Sequence, residues 1–207
     1  MLKILGKATS INVRKVLWTC VELGIEFERE DWGAGFQSTT QESFVALNPN
    51  AMVPVLVDGD FVLWESNAIC RYLCNKTGDT RLLPAEAQAR ARVEQWMDWQ
   101  ATELNNAWRY AFMALVRASP AHRDPVQIRT SVEAWNRHIG ILDRQLDAGG
   151  PYVAGATFSL ADVVLGLSVN RWMLAPVERL RYPAVLDYYE RLGERPGFRR
   201  FGCNGQP

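Results

Sequence analysis

The sequence lacks an excess of charge of either sign. Its 207 residues include 23 Lys and Arg against 23 Asp and Glu, so the formal net charge is zero. A neutral chain does not have the electrostatic footprint of a general nucleic-acid binder, and we expect no nucleic-acid partner. Hydrophobic residues make up 48% of the chain and charged residues 22%, which is typical of a folded globular protein and not of a disordered one.

Long apolar runs are also scarce. The N-terminus has neither the apolar core nor the small-residue cleavage site of a secretory signal peptide. The most apolar stretch, 160–177, is interrupted by Asp162, Asn170 and Arg171, so it predicts a buried helix and not a membrane span. We therefore expect a cytoplasmic protein without a membrane partner.

Cysteine is rare, with four residues in the whole chain and no zinc-type spacing among them. Cys70 and Cys74 are one helical turn apart and could be metal ligands or a redox pair. No histidine or further cysteine lies near them in the sequence, so a buried structural role is favoured. We expect free thiols in a reducing compartment and no bound metal.

The N-terminal part of the chain predicts a small α/β domain. A strand over 2–5 precedes a helix whose apolar positions begin at Val13 and stop at Gly24, a residue typical of helix C-termini. Alternating apolar and charged residues over 25–31 indicate a second strand near a sheet edge. These two strands should pair in parallel, because a helix between them provides the right-handed crossover.

A β-hairpin and another helix complete this domain. Asp58-Gly59 lies between two β-rich runs, which is a strong hairpin signal, and a loop with a short helix precedes it. A helix follows over 65–77. We expect the α/β domain to extend over residues 1–80.

The remainder, residues 86–207, predicts an all-helical domain. Apolar residues recur at steps of three and four over 97–115 and again over 128–146, which predicts two long amphipathic helices. A last helix is predicted over 183–195.

Between these helices the sequence predicts a central one. Ser159 and Asp162 have the spacing of a capping box, and Phe158 and Val163 have the spacing of a hydrophobic staple. The helix that they open is apolar on nearly all faces, so it should be surrounded by other elements.

A first candidate site lies in the loop between the first strand and the first helix, around Ser10. A hydroxyl there would stand beside the free amides of a helix N-terminus, at the positive end of the helix dipole. Such a position stabilises an anion and lowers the pKa of a thiol. The alternative is that Ser10 caps the helix, which is the commoner role of serine at such positions.

A second candidate site is formed by Glu65 and Ser66 at the start of the third helix. The free amides and the Ser66 hydroxyl could bind a carboxylate, and Glu65 could bind an ammonium group of the same ligand. Together these groups would recognise the head of an α-amino acid. Capping of the helix by the same residues is the alternative.

A third candidate site is the dipeptide Val53-Pro54, which precedes a strand. If the bond between them were cis, the backbone amide and carbonyl of Val53 would point out of the sheet and could pair with an extended peptide. The alternative is an ordinary proline at the start of an edge strand.

Together the three sites resemble the ligand-binding end of the glutathione S-transferase family. The resemblance covers essentially the whole chain and is carried by the segments TSINVRKVLW, LNPNAMVPVL, WESNAICRYL and FSLADVVL. It implies the GST fold, in which an α/β thioredoxin-like N-terminal domain precedes an all-α C-terminal helical bundle. It also implies a homodimer that uses glutathione as cosubstrate.

The resemblance assigns a role to each candidate residue of the first loop. Ser10 matches the hydroxyl that hydrogen-bonds the glutathione sulfur in serine-type members, and it lies four residues before Arg14, as in theta-like members. Thr9 would take this role if the loop register shifted by one residue. Asn12 matches an asparagine that assists thiol binding in a disulfide-reductase-like bacterial class.

The other candidates match residues that hold the peptide. Val53 resembles the residue before the family's cis-proline, Pro54, and would pair with the cysteinyl backbone of glutathione. Glu65 and Ser66 resemble the pair that holds the γ-glutamyl amine and carboxylate.

The chain departs from the family pattern at the glycyl end of the ligand. Many members have a lysine immediately before the Val-Pro pair, where this chain has Met52. The loop over 36–39 would have to hold the glycyl carboxylate instead, or that end would be bound more weakly.

The first loop contains no tyrosine, which excludes the tyrosine-type classes. The absence of a cysteine at position 10 disfavours a mixed-disulfide mechanism.

The electrophile should bind between the domains. Trp108, Phe112 and Phe201 are candidates for an aromatic wall of this pocket. The alternative for Trp108 is a place in the core, because it lies on the packed stripe of its helix.

We therefore expect conjugation of the glutathione thiolate to small electrophiles, a detoxification reaction. One alternative is a glutathione-dependent disulfide or peroxide reductase that uses the same site, which Asn12 favours slightly. Another is a non-catalytic binding or assembly module. The presence of Ser10, Glu65 and Ser66 together argues against that module, since a scaffold has no need of all three.

Overall fold

The computed structural model describes all of residues 1–207. A four-stranded mixed sheet in the order β2-β1-β3-β4 forms the centre of the N-terminal part. β1 pairs with β2 in parallel, as predicted, and with β3 antiparallel. β3 and β4 form the predicted hairpin, and Gly59 in its turn has a φ of +62°, which favours glycine. The strands are β1 Leu2–Leu5, β2 Phe27–Glu30, β3 Val55–Asp58 and β4 Phe61–Trp64.

Three helices accompany the sheet. α1 and α3 pack against each other, and both end at a glycine in the left-handed conformation, which allows the chain to turn away. The short α2 lies in the loop before the hairpin. These helices are α1 Ile11–Leu23, α2 Glu42–Val45 and α3 Ser66–Thr77.

All later elements are helical. The first predicted long helix is part of a longer rod, in which a π-helical turn, Gln100–Leu104, joins α4 to α5. The helix predicted over 183–195 is confirmed and extends over Pro183–Gly193. A short helix that the sequence did not predict follows it, because Pro196 starts a new helix at a position where its missing N–H costs nothing. The helices are α4 Ala87–Trp99, α5 Asn105–Leu115, α6 Pro125–Gly149, α7 Leu160–Leu174, α8 Pro183–Gly193 and α9 Pro196–Phe201.

The central helix predicted from the capping box is α7. The backbone N–H of Ser159 donates to the Asp162 carboxylate at 2.8 Å, and the Val153 N–H donates to its other oxygen at 2.9 Å. The capping box is therefore present, as predicted. Every residue of α7 from Leu160 to Trp172 is buried, which confirms its central place.

One continuous apolar core connects the sheet side of the molecule with the helical part. It contains 40 buried residues, drawn from β1, α1 and α3 as well as from α4 to α9. Trp18 of α1 is fully buried, and its ring lies 5.7 Å from Phe158 and 5.1 Å from Phe198 between centroids. No helix combines the length and the apolarity needed to cross a membrane.

Candidate functional site

The Ser10 hydroxyl is not used by the protein itself. Ser10 occupies the N-cap position of α1 with extended backbone, at φ −78° and ψ 125°, yet its side chain makes no capping hydrogen bond. The capping alternative is therefore not what the structure shows. Ser10 is half-buried and Thr9 beside it is exposed. A hydroxyl left free at the positive end of a helix is available to a ligand.

The Val53–Pro54 peptide bond is cis. Neither the N–H nor the carbonyl of Val53 takes part in a backbone hydrogen bond, although β3 begins two residues later. This pair of free groups at the end of a strand is what an added extended peptide would need.

Glu65 and Ser66 are placed by an unusual backbone turn. Glu65 has φ +74° and ψ 108°, a conformation that non-glycine residues rarely adopt, and such outliers cluster at functional sites. The Glu65 side chain is exposed and does not cap α3, so the capping alternative is not observed here either. The buried Ser66 follows it as the first residue of the helix.

Two adjoining cavities bring most of these residues together. The first has a volume of about 390 Å³ and the second about 270 Å³, and Asn12, Glu65 and Ser66 line both of them. The second is also lined by Val53 and Pro54. Thr9 and Ser10 lie in the loop just before Asn12, the second residue of α1, but do not line either cavity. We call the two cavities together the peptide cleft.

A buried lysine in the peptide cleft was missed by the sequence reasoning. Lys15 of α1 is 2% exposed and lines the first cavity. Its Nζ donates to Gln100 Oε1 at 2.8 Å and to Asn67 Oδ1 at 3.3 Å. Burial lowers the pKa of Lys15 to about 8. Its position four residues after the buried Ile11 on the same helix is a signal that could have identified it.

The contacts of Lys15 continue into the helical part of the chain. Asn67 Nδ2 donates to the Met97 carbonyl at 3.0 Å, and Gln100 Nε2 donates to Asn105 Oδ1 at 2.9 Å. Gln100 is the first residue of the π-helical turn, and such turns occur frequently at functional sites. The floor of the first cavity is thus a polar network that joins α1 and α3 to α4 and α5.

The residues predicted to form the acceptor wall are packed in the core. Trp108, Phe112 and Phe201 are 9%, 4% and 8% exposed, and the first two rings meet edge to face at 5.3 Å. Trp108 also packs on Trp135, so the core alternative describes its surroundings. The role of these three residues toward an electrophile stays a prediction.

Three of the four cysteines are buried. Cys20, Cys70 and Cys74 are buried and unpaired, and Cys203 is exposed. Burial raises the pKa of Cys70 to about 11 and that of Cys74 to about 12, so both remain thiols at neutral pH. No group of three His, Cys, Asp or Glu side chains is placed to hold a metal ion.

Two family models match the chain. Residues 1–75 match the N-terminal domain of glutathione S-transferase, and residues 114–191 match its C-terminal domain. The chain is 35% identical over 202 residues to glutathione S-transferase GstB of Escherichia coli K12, with 97% of each chain covered. It is also 30% identical over 186 residues to the disulfide-bond oxidoreductase YfcG of the same organism, covering 84% of this chain and 81% of YfcG.

The fold is similar to that of solved structures. A theta class glutathione S-transferase from Xanthomonas axonopodis pv. citri, with glutathione bound, superimposes with a TM-score of 0.90 and 35% identity. The alignment covers 97% of this chain and 96% of that one. The expected architecture, a thioredoxin-like domain followed by a helical bundle, is thereby confirmed.

Proposed function

Since the chain belongs to the glutathione S-transferase family, we propose that it conjugates the thiolate of glutathione to small electrophiles. The observation that carries this proposal is the Ser10 hydroxyl, which stands at the N-terminus of α1 without capping it. A serine that only stabilised the helix would hydrogen-bond to the helix amides.

The proposed binding mode uses the free polar groups around the peptide cleft. Glu65 and Ser66 would hold the amine and carboxylate of the γ-glutamyl residue, and the free backbone of Val53 would pair with the cysteinyl residue. Asn12 lines both cavities and would contact the ligand between these points. Glutathione bound in this way would direct its sulfur toward Ser10, or toward Thr9 if the register differs by one.

In the proposed mechanism the protein activates a nucleophile that belongs to the cosubstrate. The Ser10 hydroxyl donates a hydrogen bond to the sulfur, and the dipole of α1 favours the negative charge, so the thiol loses its proton to solvent more readily. The thiolate then attacks an electrophile that the protein holds beside it, which removes the entropy cost of bringing two molecules together. Trp108, Phe112 and Phe201 are proposed to shape this acceptor side.

We also propose that the protein is a cytoplasmic homodimer with a role in detoxification. Phe61 and Trp64 on the edge strand β4 are 46% and 36% exposed, an apolar surface that a second copy could cover. The balanced charge of the chain supports the expectation of no nucleic-acid partner.

A glutathione-dependent disulfide reductase is the second candidate. Asn12 lines both cavities of the cleft, and one relative is a disulfide-bond oxidoreductase. Assays of the purified protein with an aryl halide and with a small disulfide, both at saturating glutathione, separate the two activities.

The decisive experiment measures the pKa of the glutathione thiol in the complex by the absorbance of its thiolate. In the wild type we expect a value below that of free glutathione. Ser10→Ala should raise it again and reduce the conjugation rate by about a hundredfold, the order seen when one donor to a developing anion is removed. Thr9→Ala is the matched control and should change neither quantity.

Each other outcome has a clear meaning. Absence of glutathione binding at millimolar concentration would contradict both enzymatic functions. Binding without a shifted thiol pKa would support the non-catalytic module. Loss of activity in Thr9→Ala but not in Ser10→Ala would move the catalytic hydroxyl by one residue.

A further inference from the structure

A buried arginine without an acidic partner lies on the central helix. Arg171 of α7 is 4% exposed, and none of the ion pairs of the chain includes it. Its Nε is sealed from solvent and has no hydrogen-bond partner, whereas its two terminal nitrogens are not sealed in this way. The side chain is therefore almost wholly buried, and its terminal nitrogens keep the little exposure that remains.

The guanidinium of Arg171 rests on the two rings predicted to wall the acceptor pocket. Its central carbon is 4.5 Å from the ring centroid of Trp108 and 4.1 Å from that of Phe112. Arg117, which is exposed, approaches the Phe112 ring at 5.4 Å. Neither arginine has a carboxylate within ion-pair distance.

Further positive charge comes from α1, the helix that begins after Ser10. Burial lowers the pKa of Arg171, and the nearby charges of Arg14 and Arg117 lower it further. The pKa of Lys15, which lines the peptide cleft, is lowered mainly by burial and in part by Arg171. Arg14 donates to the Asn204 amide oxygen at 3.0 Å and is thus held in place by the C-terminal segment. Arg171 therefore has other cations and no carboxylate as its charged neighbours.

This arrangement is unfavourable unless an anion joins it. Burial of an unpaired charge is costly, and contact with aromatic faces offsets only part of that cost. The planar terminal nitrogens of an arginine match the two oxygens of a carboxylate. A small anion with that geometry would supply the partner that the guanidinium lacks.

We propose that the electrophile conjugated by this protein carries a carboxylate, which binds the terminal nitrogens of Arg171 beside Trp108 and Phe112. This inference rests on the proposed function, because it names the acceptor class of the same reaction. With a halogenated acceptor, the thiolate sulfur forms a bond to the carbon that bears the halogen. The carbon–halogen bond breaks, and the halide leaves with the electron pair. The thiol proton has already passed to solvent.

The test compares two acceptors of the same shape that differ by one charge, 4-chloro-3-nitrobenzoate and 4-chloro-3-nitrobenzamide. For each, kcat/KM with glutathione is divided by the uncatalysed rate constant, which removes the difference in intrinsic reactivity. In the wild type we expect this ratio to favour the carboxylate by about tenfold or more. Arg171→Met should remove most of that preference.

Two further variants keep the test decisive if Arg171→Met does not fold. Arg117→Gln changes an exposed side chain, and it should reduce the preference for the carboxylate by a few fold, roughly as the loss of one partly screened charge would. Arg92→Gln removes an exposed arginine of α4 and should leave the preference unchanged. High salt should weaken the preference in the wild type.

The outcomes separate this inference from the proposed function. If the amide is conjugated as well as the carboxylate, the anionic acceptor is wrong and the transferase stands. If neither acceptor is conjugated and glutathione does not bind, the proposed function itself fails. An equal loss with both acceptors in Arg117→Gln would also contradict the inference, since it would show a structural effect without charge selectivity.

Discussion

Met52 lines the second cavity of the peptide cleft, at a position where many family members have a lysine. It is 64% exposed, and the second cavity that it lines contains no basic side chain, while Glu65 is acidic. Asn48 is held by the Met52 carbonyl, to which its Nδ2 donates at 2.7 Å. Neutral amides are thus the groups that this cavity offers to a glycyl carboxylate.

We predict that Met52→Lys lowers the KM for glutathione by a few fold and changes kcat little. An exposed ion pair contributes about 0–1 kcal/mol, and it would act on the bound and activated forms of glutathione alike. Steady-state kinetics at low and high salt would measure this, and the gain should shrink at high salt. Met52→Gln is the uncharged control, and an equal gain in that variant would contradict an electrostatic cause.

In the proposed binding mode, the charge of Lys15 makes the reaction depend on pH. Because burial lowers its pKa to about 8, the side chain is charged at pH 7 and neutral once the pH has risen well above 8. We predict that kcat/KM for glutathione falls as the pH rises through this value, since a positive charge next to the γ-glutamyl carboxylate is lost. A pH profile of Lys15→Met should lack this fall.

The matched control for that profile is Lys7→Met. Lys7 is bonded to the Ala34 carbonyl and does not line the cleft, so its removal should leave the alkaline fall in place. If kcat/KM of Lys15→Met fell at alkaline pH as much as that of the wild type, the fall would belong to another group.

The sequence pointed to the candidate polar groups at the helix starts but not to the two buried cations, Lys15 and Arg171. Ser10, Glu65 and Ser66 lie at helix starts, and a helix start can be located from the apolar pattern of the helix that follows. Lys15 and Arg171 lie inside helices, and the apolar pattern shows that a charge is there but not what surrounds it. Their environment depends on which helices pack around them, which is a property of the tertiary structure.

At the scale of elements, two glycines set how closely helices approach Trp18. A Cβ at Gly197 of α9 would lie 2.2 Å from the Trp18 ring, and one at Gly166 of α7 would lie 2.6 Å from Leu192. Neither glycine has a positive φ, so the space beside it and not its backbone conformation is what excludes a side chain.

We predict that Gly197→Ala lowers the free energy of unfolding by about 1–3 kcal/mol, because the added methyl overpacks the core around Trp18. Gly193→Ala in α8 is the control. A Cβ there meets no atom within 4 Å, and alanine should add up to about 1 kcal/mol through its higher helix propensity. Urea unfolding of both variants measures the difference, and equal stabilities would contradict it.

Elements with strong local signals were predicted, and those decided by context were not. The capping box of α7 and the glycine at the end of α1 act within one turn of their helices, so the sequence displays them. The π-helical turn that begins at Gln100 lies between α4 and α5 and leaves the apolar stripe of the combined helix continuous. The chain breaks before Pro196, and the helix that follows has only six residues. Neither alters the periodicity on which the prediction depended.

At the scale of the whole molecule, the expected division into residues 1–80 and 86–207 stays a prediction. One shared core joins the two parts. α1 belongs to the sheet side, yet it packs against α7 and α9 as well as against α3. The Trp18 indole donates to Glu22 at 2.8 Å, and Glu22 forms an ion pair with Arg195 at 2.5 Å.

This arrangement predicts that the sheet and the helical bundle unfold together. Trp18→Leu should lower the free energy of unfolding by about 3 kcal/mol or more, as expected when a large buried ring is truncated. Because the ring contacts Phe158 and Phe198 of the helical part, the loss should affect β1 and α7 equally. Hydrogen exchange of peptides from β1 and from α7 measures the opening free energy of each element separately. Trp64→Leu is the control, because Trp64 is partly exposed, and it should change both opening free energies by less than about 1 kcal/mol. If β1 became labile in Trp18→Leu while α7 kept its protection, the sheet would be an independent folding unit, and the core that joins the two parts would not couple their stability.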